Sequence, residues 1–240
     1  MTRRGTRPRP RRKAPGMPKW TSLVAVTFVT FGLSALLLLS STTKMKIAVL
    51  SYMSLAIIGS AITYATHPNW LEFRGLMTVL NAVMVWGMVI GFGFLFSSIA
   101  TSYSPEGHQY LPTTLSIFDL VINVGLKSAL MAGLVAWSER SLIQGGFYGV
   151  LNPPYGERVR IPKKPPSFSR WMSEKGFKAL ITAVGFGLLH LVAYPDPILI
   201  FSPMLTMFFS LYLMEFEGGI IGGLLGHCLG DFTFFLMRGG

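Results

Sequence analysis

The last apolar stretch of the chain, GGIIGGLLGHCLGDFTFFL at 218–236, carries two ionisable side chains inside an otherwise hydrophobic run. His227 and Asp231 are four residues apart, so in a helix they lie on the same face, one turn from each other. Placing an ionised Asp at the centre of a bilayer costs about 2.5–3.5 kcal/mol on insertion scales, which makes such a pair a candidate functional site. The stretch therefore predicts a membrane-spanning helix with a polar site on one face.

The composition of the whole chain favours a membrane protein. Of the 240 residues, 51% are hydrophobic and 13% are charged, which is about half the charged fraction of ordinary soluble domains. A helix needs about 20 apolar residues to cross a bilayer, and the runs that approach this length lie at 20–41, 45–66, 75–100, 127–150, 178–194, 197–215 and 218–237. We therefore predict an all-α, polytopic bundle of about seven membrane-spanning helices, forming one transmembrane domain over 20–240.

Positive charge is concentrated in two segments of the chain. The arm 1–19 holds eight Lys or Arg and no acidic residue, and the segment 152–177 is basic and rich in proline, whereas 101–111 has no Lys or Arg. Basic segments mark the cytoplasmic side of a membrane. We therefore predict a multi-pass protein with its amino terminus and the loop 152–177 in the cytoplasm and, after seven spans, its carboxyl terminus outside.

The composition of the arm 1–19 also predicts a partner. Its Arg-Pro repeats, and the absence of any apolar residue other than Ala14 between Gly5 and Gly16, are typical of a disordered segment. Each Lys or Arg near a membrane surface contributes about 1 kcal/mol of attraction to anionic lipids, so we expect the arm to contact anionic headgroups of membrane lipids. Nucleic acid is not an expected partner, because no folded nucleic-acid motif accompanies the arm.

Two further ionisable residues lie inside apolar spans, Glu139 in AWSERSLIQGGFYGVL and His190 in FGLLHL. From the rise of a helix, Glu139 and His190 each lie roughly 18 Å, and His227 roughly 15 Å, from the cytoplasmic ends of their predicted spans. We therefore expect Glu139, His190, His227 and Asp231 to face one interior cavity. Glu217, at a predicted cytoplasmic turn, is expected to be solvated.

Three motifs at these positions resemble those of the CPBP family of intramembrane proteases, which includes the CAAX prenyl endopeptidases and the abortive-infection proteins. ERSLIQG at 139–145 is similar to the family's EExxxRG motif, FGLLH at 186–190 to its FxxxH motif, and HCLGD at 227–231 to its HxxxN motif. The glycine-rich lead-in to the last motif is also typical of the family. The likeness covers about residues 127–237, which form a predicted CPBP-like core.

The resemblance implies an endopeptidase that hydrolyses membrane-associated peptides. Glu139 would activate water as a general base and His190 would orient that water, with His227 and Asp231 near the oxygen that becomes negative. His190, His227 and Asp231 could also supply three protein ligands to a catalytic zinc ion with an open fourth position. A mechanism with Glu139 alone is equally open at this point.

The chain departs from the family pattern within these motifs. Arg140 stands where the family has a second Glu, Gln144 stands where it has the Arg, and Asp231 replaces the usual Asn. A cation at 140 would hold Glu139 ionised or occupy it as an ion-pair partner. The alternative is therefore a catalytically impaired CPBP-fold protein that serves as a scaffold or accessory subunit of a larger membrane complex.

Overall fold

The structure is a computed structural model that describes residues 43–103, 125–152, 167–192 and 196–238. Within these ranges the chain forms helices and turns and no strand. The main helices, in chain order, are α1 (Thr43–Thr66), α2 (Leu76–Tyr103), α3 (Gly125–Glu139, then the π-helical Arg140–Phe147, then Tyr148–Leu151), α4 (Phe168–Trp171, then the π-helical Met172–Gly176, then Phe177–Leu189), α5 (Phe201–Glu217) and α6 (Ile221–Arg238). Short 3-10 turns lie at Pro68–Leu71, His190–Val192 and Pro197–Ile200.

The helical prediction is confirmed for the described residues, where a helix occupies each of six predicted spans. The arm 1–19 and the predicted span 20–41 lie outside the described residues. By length and hydropathy, three segments of the described chain are able to cross a membrane, Lys46–Thr66, Leu76–Ala100 and Pro197–Glu217. This finding is consistent with a membrane protein, whereas the number of seven spans stays a prediction.

Helix α4 begins earlier than the predicted span 178–194, so the end of the predicted cytoplasmic loop is helical. Its first residue is Phe168, and the hydroxyl of Ser167 caps this start by accepting a hydrogen bond from the backbone N–H of Arg170 at 3.4 Å. Trp171 is buried against aromatic rings of α5, while the side chain of Arg170 is exposed. The segment is basic and yet helical because it buries one large ring and keeps its charges outside.

Close packing of α6 against α2 fixes the position of the last helix. A Cβ atom at Gly226 would overlap the carbonyl oxygen of Ala82, and one at Gly230 would overlap the side chain of Val89. Glycines at this spacing let two helix backbones approach closely in a membrane. Helix α6 also packs against α3, which packs in turn against α1, whereas α4 packs against α5. The bundle therefore holds α3 and α6 side by side.

Glu217 is buried rather than solvated, and the prediction for this residue was wrong. Its side chain accepts hydrogen bonds from the hydroxyl of Thr78 at 2.9 Å, the backbone N–H of Gly222 at 2.8 Å and the amide of Asn81 at 2.5 Å. Gly218, with a φ of 72°, ends α5 in the left-handed conformation that glycine adopts readily. The carboxylate is buried because its donors come from the start of α6 and from α2, which is distant in sequence.

Candidate active site

The four residues expected to form a site come from three helices. Glu139 is the last residue of the α-helical part of α3, His190 directly follows α4, and His227 and Asp231 lie one turn apart on α6. Their side chains are largely buried, with exposures of 20% for Glu139, 15% for His190, 9% for His227 and 20% for Asp231. Four ionisable groups therefore lie in the interior of an apolar bundle.

Glu139 stands between the two histidines. Its Oε1 lies 3.8 Å from Nε2 of His190, and its Oε2 lies 3.6 Å from Nε2 of His227. The same Nε2 of His227 lies 3.3 Å from Oδ1 of Asp231. Only the last of these distances allows a direct hydrogen bond. The structure thus brings together all four residues named from the sequence, while their catalytic roles stay a prediction.

A largely apolar cavity of about 370 Å³ lies beside Glu139, between α1, α3 and α4. Tyr52, Glu139 and His190 are the ionisable groups on its wall, whereas His227 and Asp231, which were expected to face the same cavity, do not line it. The cavity is bordered by Leu55 of α1, which is 39% exposed, and by Leu189 of α4, which is 61% exposed. It therefore opens between these two helices at an apolar surface of the bundle.

The contribution of α1 to this cavity was not expected from the sequence. Tyr52 and Leu55 line the cavity, although they lie well before the region 127–237 that resembles the CPBP family. No local pattern marks these two residues, because an aromatic and a leucine in an apolar span are ordinary membrane-helix residues. Their position follows only from the packing of α1 on α3.

Arg140 points away from Glu139, into the packed interior. Its side chain is fully buried, with Nε donating to Nδ1 of His227 at 3.1 Å and Nη1 donating to Ser210 Oγ at 2.7 Å and to Gln144 Oε1 at 3.2 Å. Within the described residues it forms no ion pair with Glu139, contrary to one expectation from the sequence. Nη2 of Arg140 and Oε2 of Glu139 are buried there without a hydrogen-bond partner.

The side chains of Glu139 and Arg140 point in different directions, and a π-helical segment begins between these two residues. It spans Arg140–Phe147, and at its end the backbone N–H of Tyr148 donates to the carbonyl of Ile143, five residues earlier. Helix α1 supports the segment, since the hydroxyl of Thr63 donates to the carbonyl of Ser141 at 3.1 Å. Such wide turns are rare in proteins, and many of those that do occur lie at functional sites. The motif at 139–145 therefore coincides with irregular helical backbone.

The hydrogen bonds of the two histidines bear on whether they fit the zinc ion considered above. Nδ1 of His190 lies 2.8 Å from the carbonyl of Phe186, which accepts its proton and leaves Nε2 as the acceptor of the neutral ring. A metal-bound histidine is normally held in this way. His227 does not fit, because its Nδ1 faces the N–H of Arg140. Among the described residues, no group of three or more His, Cys, Asp or Glu side chains is arranged to hold a metal ion.

Comparison with known proteins identifies no relative of this chain: no family model, no curated protein and no solved structure matches it. The likeness to the CPBP family rests on the three motifs at 139–145, 186–190 and 227–231 alone.

Proposed function

We propose that the protein is a CPBP-like intramembrane endopeptidase in which Glu139 activates a water molecule with the help of His190. The observation that carries this proposal is the placement of both residues on the wall of one apolar cavity, with Glu139 Oε1 and His190 Nε2 3.8 Å apart. Two polar atoms at this separation are well placed to share a bridging water. A carboxylate and an imidazole that hold one water are the groups that general-base hydrolysis requires.

The protonation of His190 defines how the water is held. Its Nδ1–H donates to the carbonyl of Phe186, so its Nε2 accepts one hydrogen of the water while Glu139 accepts the other. Glu139 takes a proton as the water oxygen attacks the carbonyl carbon of the peptide. The tetrahedral species then collapses, the C–N bond breaks, and the proton on Glu139 passes to the leaving nitrogen. Water is consumed, and a carboxylic acid and an amine are produced.

His227 and Asp231 act from the side of Glu139 that is remote from the cavity. Nε2 of His227 is within 3.6 Å of both carboxylates, so a proton on this nitrogen orients them and partly offsets their mutual repulsion. Because Oε2 of Glu139 faces His227 while Oε1 faces His190 on the cavity wall, His227 keeps the base in place as the substrate binds. No step of this mechanism uses a metal ion.

The shape and chemistry of the cavity support a membrane peptide as substrate. Apart from its polar wall the cavity is apolar, and it opens between Leu55 and Leu189, where α1 and α4 present hydrophobic side chains. An extended peptide segment that is apolar, or that carries a lipid, can enter from the bilayer without first being transferred through water. Peptides of this class are also the substrates that the resemblance implies.

The membrane arrangement is part of the same proposal. Seven spans would place the basic arm 1–19 on anionic headgroups in the cytoplasm and the carboxyl terminus outside. Polar groups such as Glu139 and Arg140 would then lie at the depth of the hydrocarbon, where they face the protein interior rather than lipid. The burial of Arg140 and the largely buried side chain of Glu139 support this arrangement.

Cleavage in proteoliposomes tests the proposal. The substrates are an apolar transmembrane peptide and the same peptide with a lipid-modified cysteine, and the products are identified by mass spectrometry. We expect the native protein to cleave at least one of them and Glu139→Gln to lose about 10²–10⁴-fold in rate. Glu215→Gln is the matched control, because Glu215 is similarly buried at 17% exposure but is paired with Lys175, remote from the cavity. A native protein that leaves both peptides intact contradicts the proposal.

A scaffold or accessory subunit of a membrane complex is the second candidate function. It is favoured by the buried Arg140, which replaces an acidic residue of the family pattern and hydrogen-bonds a histidine of the site. Purification in mild detergent distinguishes the two. A subunit is recovered in fixed stoichiometry with other membrane proteins, whereas an independent protease is recovered alone and active.

A further inference from the structure

The contact between Arg140 and His227 determines where the histidine carries its proton. The guanidinium Nε lies 3.1 Å from Nδ1 of the ring, and both side chains are more than nine-tenths buried. A guanidinium has five N–H donors, no acceptor, and is not deprotonated in proteins. The ring nitrogen that faces it must therefore be the acceptor, without a proton, and the neutral ring carries its proton on Nε2.

The groups on the other side of the ring agree with this assignment. Nε2 lies 3.3 Å from Oδ1 of Asp231 and 3.6 Å from Oε2 of Glu139, and an ionised carboxylate offers only acceptors and no donor. A ring with the opposite tautomer would direct a proton at the guanidinium and a lone pair at two carboxylates. In that state a donor would face a donor at Nδ1 and an acceptor would face acceptors at Nε2, in a site largely shielded from water.

Arg140 is itself held firmly in this position. Its Nη1 donates to Ser210 at 2.7 Å and to Gln144 at 3.2 Å, and its Nη1 also lies 3.7 Å from the sulfur of Met207. Two helices other than α6 therefore fix the guanidinium, which cannot turn away without leaving these buried groups unpaired. The direction of the proton on His227 is thus built into the packing.

We infer that Arg140 is a positioning residue, which holds His227 in the tautomer protonated at Nε2 and thereby makes the site metal-independent. The part that concerns catalysis rests on the proposed function above. In this assignment Arg140, which stands where the family motif has its second Glu, makes a different interaction and does not simply remove a functional group. The fixed Nε2–H then faces the carboxylates of Asp231 and Glu139.

Zinc binding by His227 is excluded by the same hydrogen bond. A histidine that binds a metal through one nitrogen carries its proton on the other, and that proton is donated to an acceptor such as a carbonyl or carboxylate. At His227 the second nitrogen faces a donor, so ligation through Nε2 would require the neutral ring to lose its only proton and become an imidazolate. His190 retains the usual arrangement through Phe186, but a zinc site that includes His227 is not available.

Nitrogen NMR of the full-length protein in lipid nanodiscs tests the tautomer directly. The signals of His227, labelled with ¹⁵N, are assigned by comparison with His227→Gln. We expect a pyridine-type shift for Nδ1 and a pyrrole-type shift for Nε2. A protonated Nδ1, in the opposite tautomer or in the doubly protonated ring, overturns the inference without the need for any further variant.

Two variants of Arg140 separate positioning from packing. Arg140→Lys keeps a cation with donors and no acceptor, so we expect it to preserve the tautomer. Arg140→Met fills a similar volume without a donor, so we expect the protonated Nδ1 to become populated and any peptidase activity to fall by about 10–100-fold, as for loss of a group that orients a catalytic side chain. An unchanged tautomer in a folded Arg140→Met overturns the inference.

Zinc titration of the native protein, followed by metal analysis, tests the second part. We expect no stoichiometric zinc, and one equivalent that disappears in His227→Gln overturns metal independence. These readouts do not depend on activity, so they separate the two proposals. If the tautomer is as expected but no peptide is cleaved, only the proposed function fails. If peptides are cleaved but Nδ1 is protonated, only the inference about Arg140 fails.

Discussion

Nη1 of Arg140 lies 3.2 Å from Oε1 of Gln144, and both side chains are fully buried in the same place between α3, α5 and α6. The two residues are one turn apart in the π-helical segment, so each can reach the position that the other occupies. The CPBP pattern has a Glu followed by an Arg at these two positions. The chain thus keeps a guanidinium within the motif but supplies it from the first position instead of the second.

Replacement of both residues by the pair of the family pattern, Arg140→Glu with Gln144→Arg, is therefore expected to be better tolerated than either change alone. Arg140→Glu adds a carboxylate beside Glu139 and Asp231, and Gln144→Arg places two cations together, so each single variant should lose about 3–5 kcal/mol of stability, as for an uncompensated buried charge. The double variant restores a Glu–Arg pair and should be more stable than the sum of the two losses predicts. Denaturation in detergent measures this, and additive losses would show that the two positions do not share one place.

The same double variant tests whether the native chain is a weakened enzyme. Because it restores the family pattern, a weakened enzyme should gain turnover of membrane peptides in this variant, whereas an enzyme in which Arg140 positions His227 should lose it. If the native chain cleaves nothing and the double variant cleaves, the scaffold function is the correct one for the natural protein. A double variant that is folded and slower than the native protein would show that Arg140 serves the reaction as it stands.

Glu217 is expected to contribute to stability through its three donors. In Glu217→Gln one carboxylate oxygen becomes an amide, which directs N–H groups at the amide of Asn81 and loses the charge at the start of α6. We expect a loss of about 1–3 kcal/mol in the free energy of unfolding. Glu215→Gln removes only a partly exposed ion pair with Lys175 and should cost less than about 1 kcal/mol. Equal effects of the two substitutions would contradict this role of Glu217.

The contact between α6 and α2 predicts different outcomes for two glycines. A Cβ atom at Gly226 overlaps the backbone of Ala82, whereas one at Gly91 of α2 meets nothing within 4 Å. Gly226→Ala should therefore lose about 1–3 kcal/mol through overpacking, while Gly91→Ala should be neutral or slightly stabilising. Thermal unfolding in nanodiscs compares them, and a neutral Gly226→Ala would show that the two helices can separate at little cost.

The direction in which the chain crosses the membrane can be tested by cysteine labelling. The charge distribution places 101–111 outside, a segment that lies largely beyond the described residues. With the native Cys228 replaced by Ala, we expect Pro105→Cys to react with a membrane-impermeant maleimide in intact cells, and a cysteine placed in the arm 1–19 to react only after lysis. The reverse pattern of labelling would invert the proposed topology.

Long apolar runs made most of the helical architecture predictable. The runs at 45–66 and 75–100 coincide with α1 and α2 to within three residues, because in such runs length and hydropathy alone define the helix. The start of α4 was harder to predict, since Phe168 lies in a basic segment whose helix depends on burial of Trp171.

The same distinction applies to the site: its convergence could be predicted from the sequence, whereas its details could not. His227 and Asp231 could be placed on one helix face from their spacing, and the approach of Glu139 and His190 was estimated from their depth. The π-helical turn and the direction of Arg140 were not predictable, because they depend on contacts with α1 and α5 that no local pattern records. The burial of Glu217 has the same origin, since Thr78 and Asn81 belong to α2.

A double-mutant cycle of Glu139→Gln and His190→Gln, measured as the rate of peptide cleavage in proteoliposomes, tests the central claim most directly. If the two residues hold one water, each single variant loses activity, about 10²–10⁴-fold for Glu139→Gln. The double variant should then be no slower than the slower single one, because residues that act as a unit are not additive. Losses that multiply in the double variant, or a Glu139→Gln protein that cleaves at the native rate, would contradict a water activated between these two side chains.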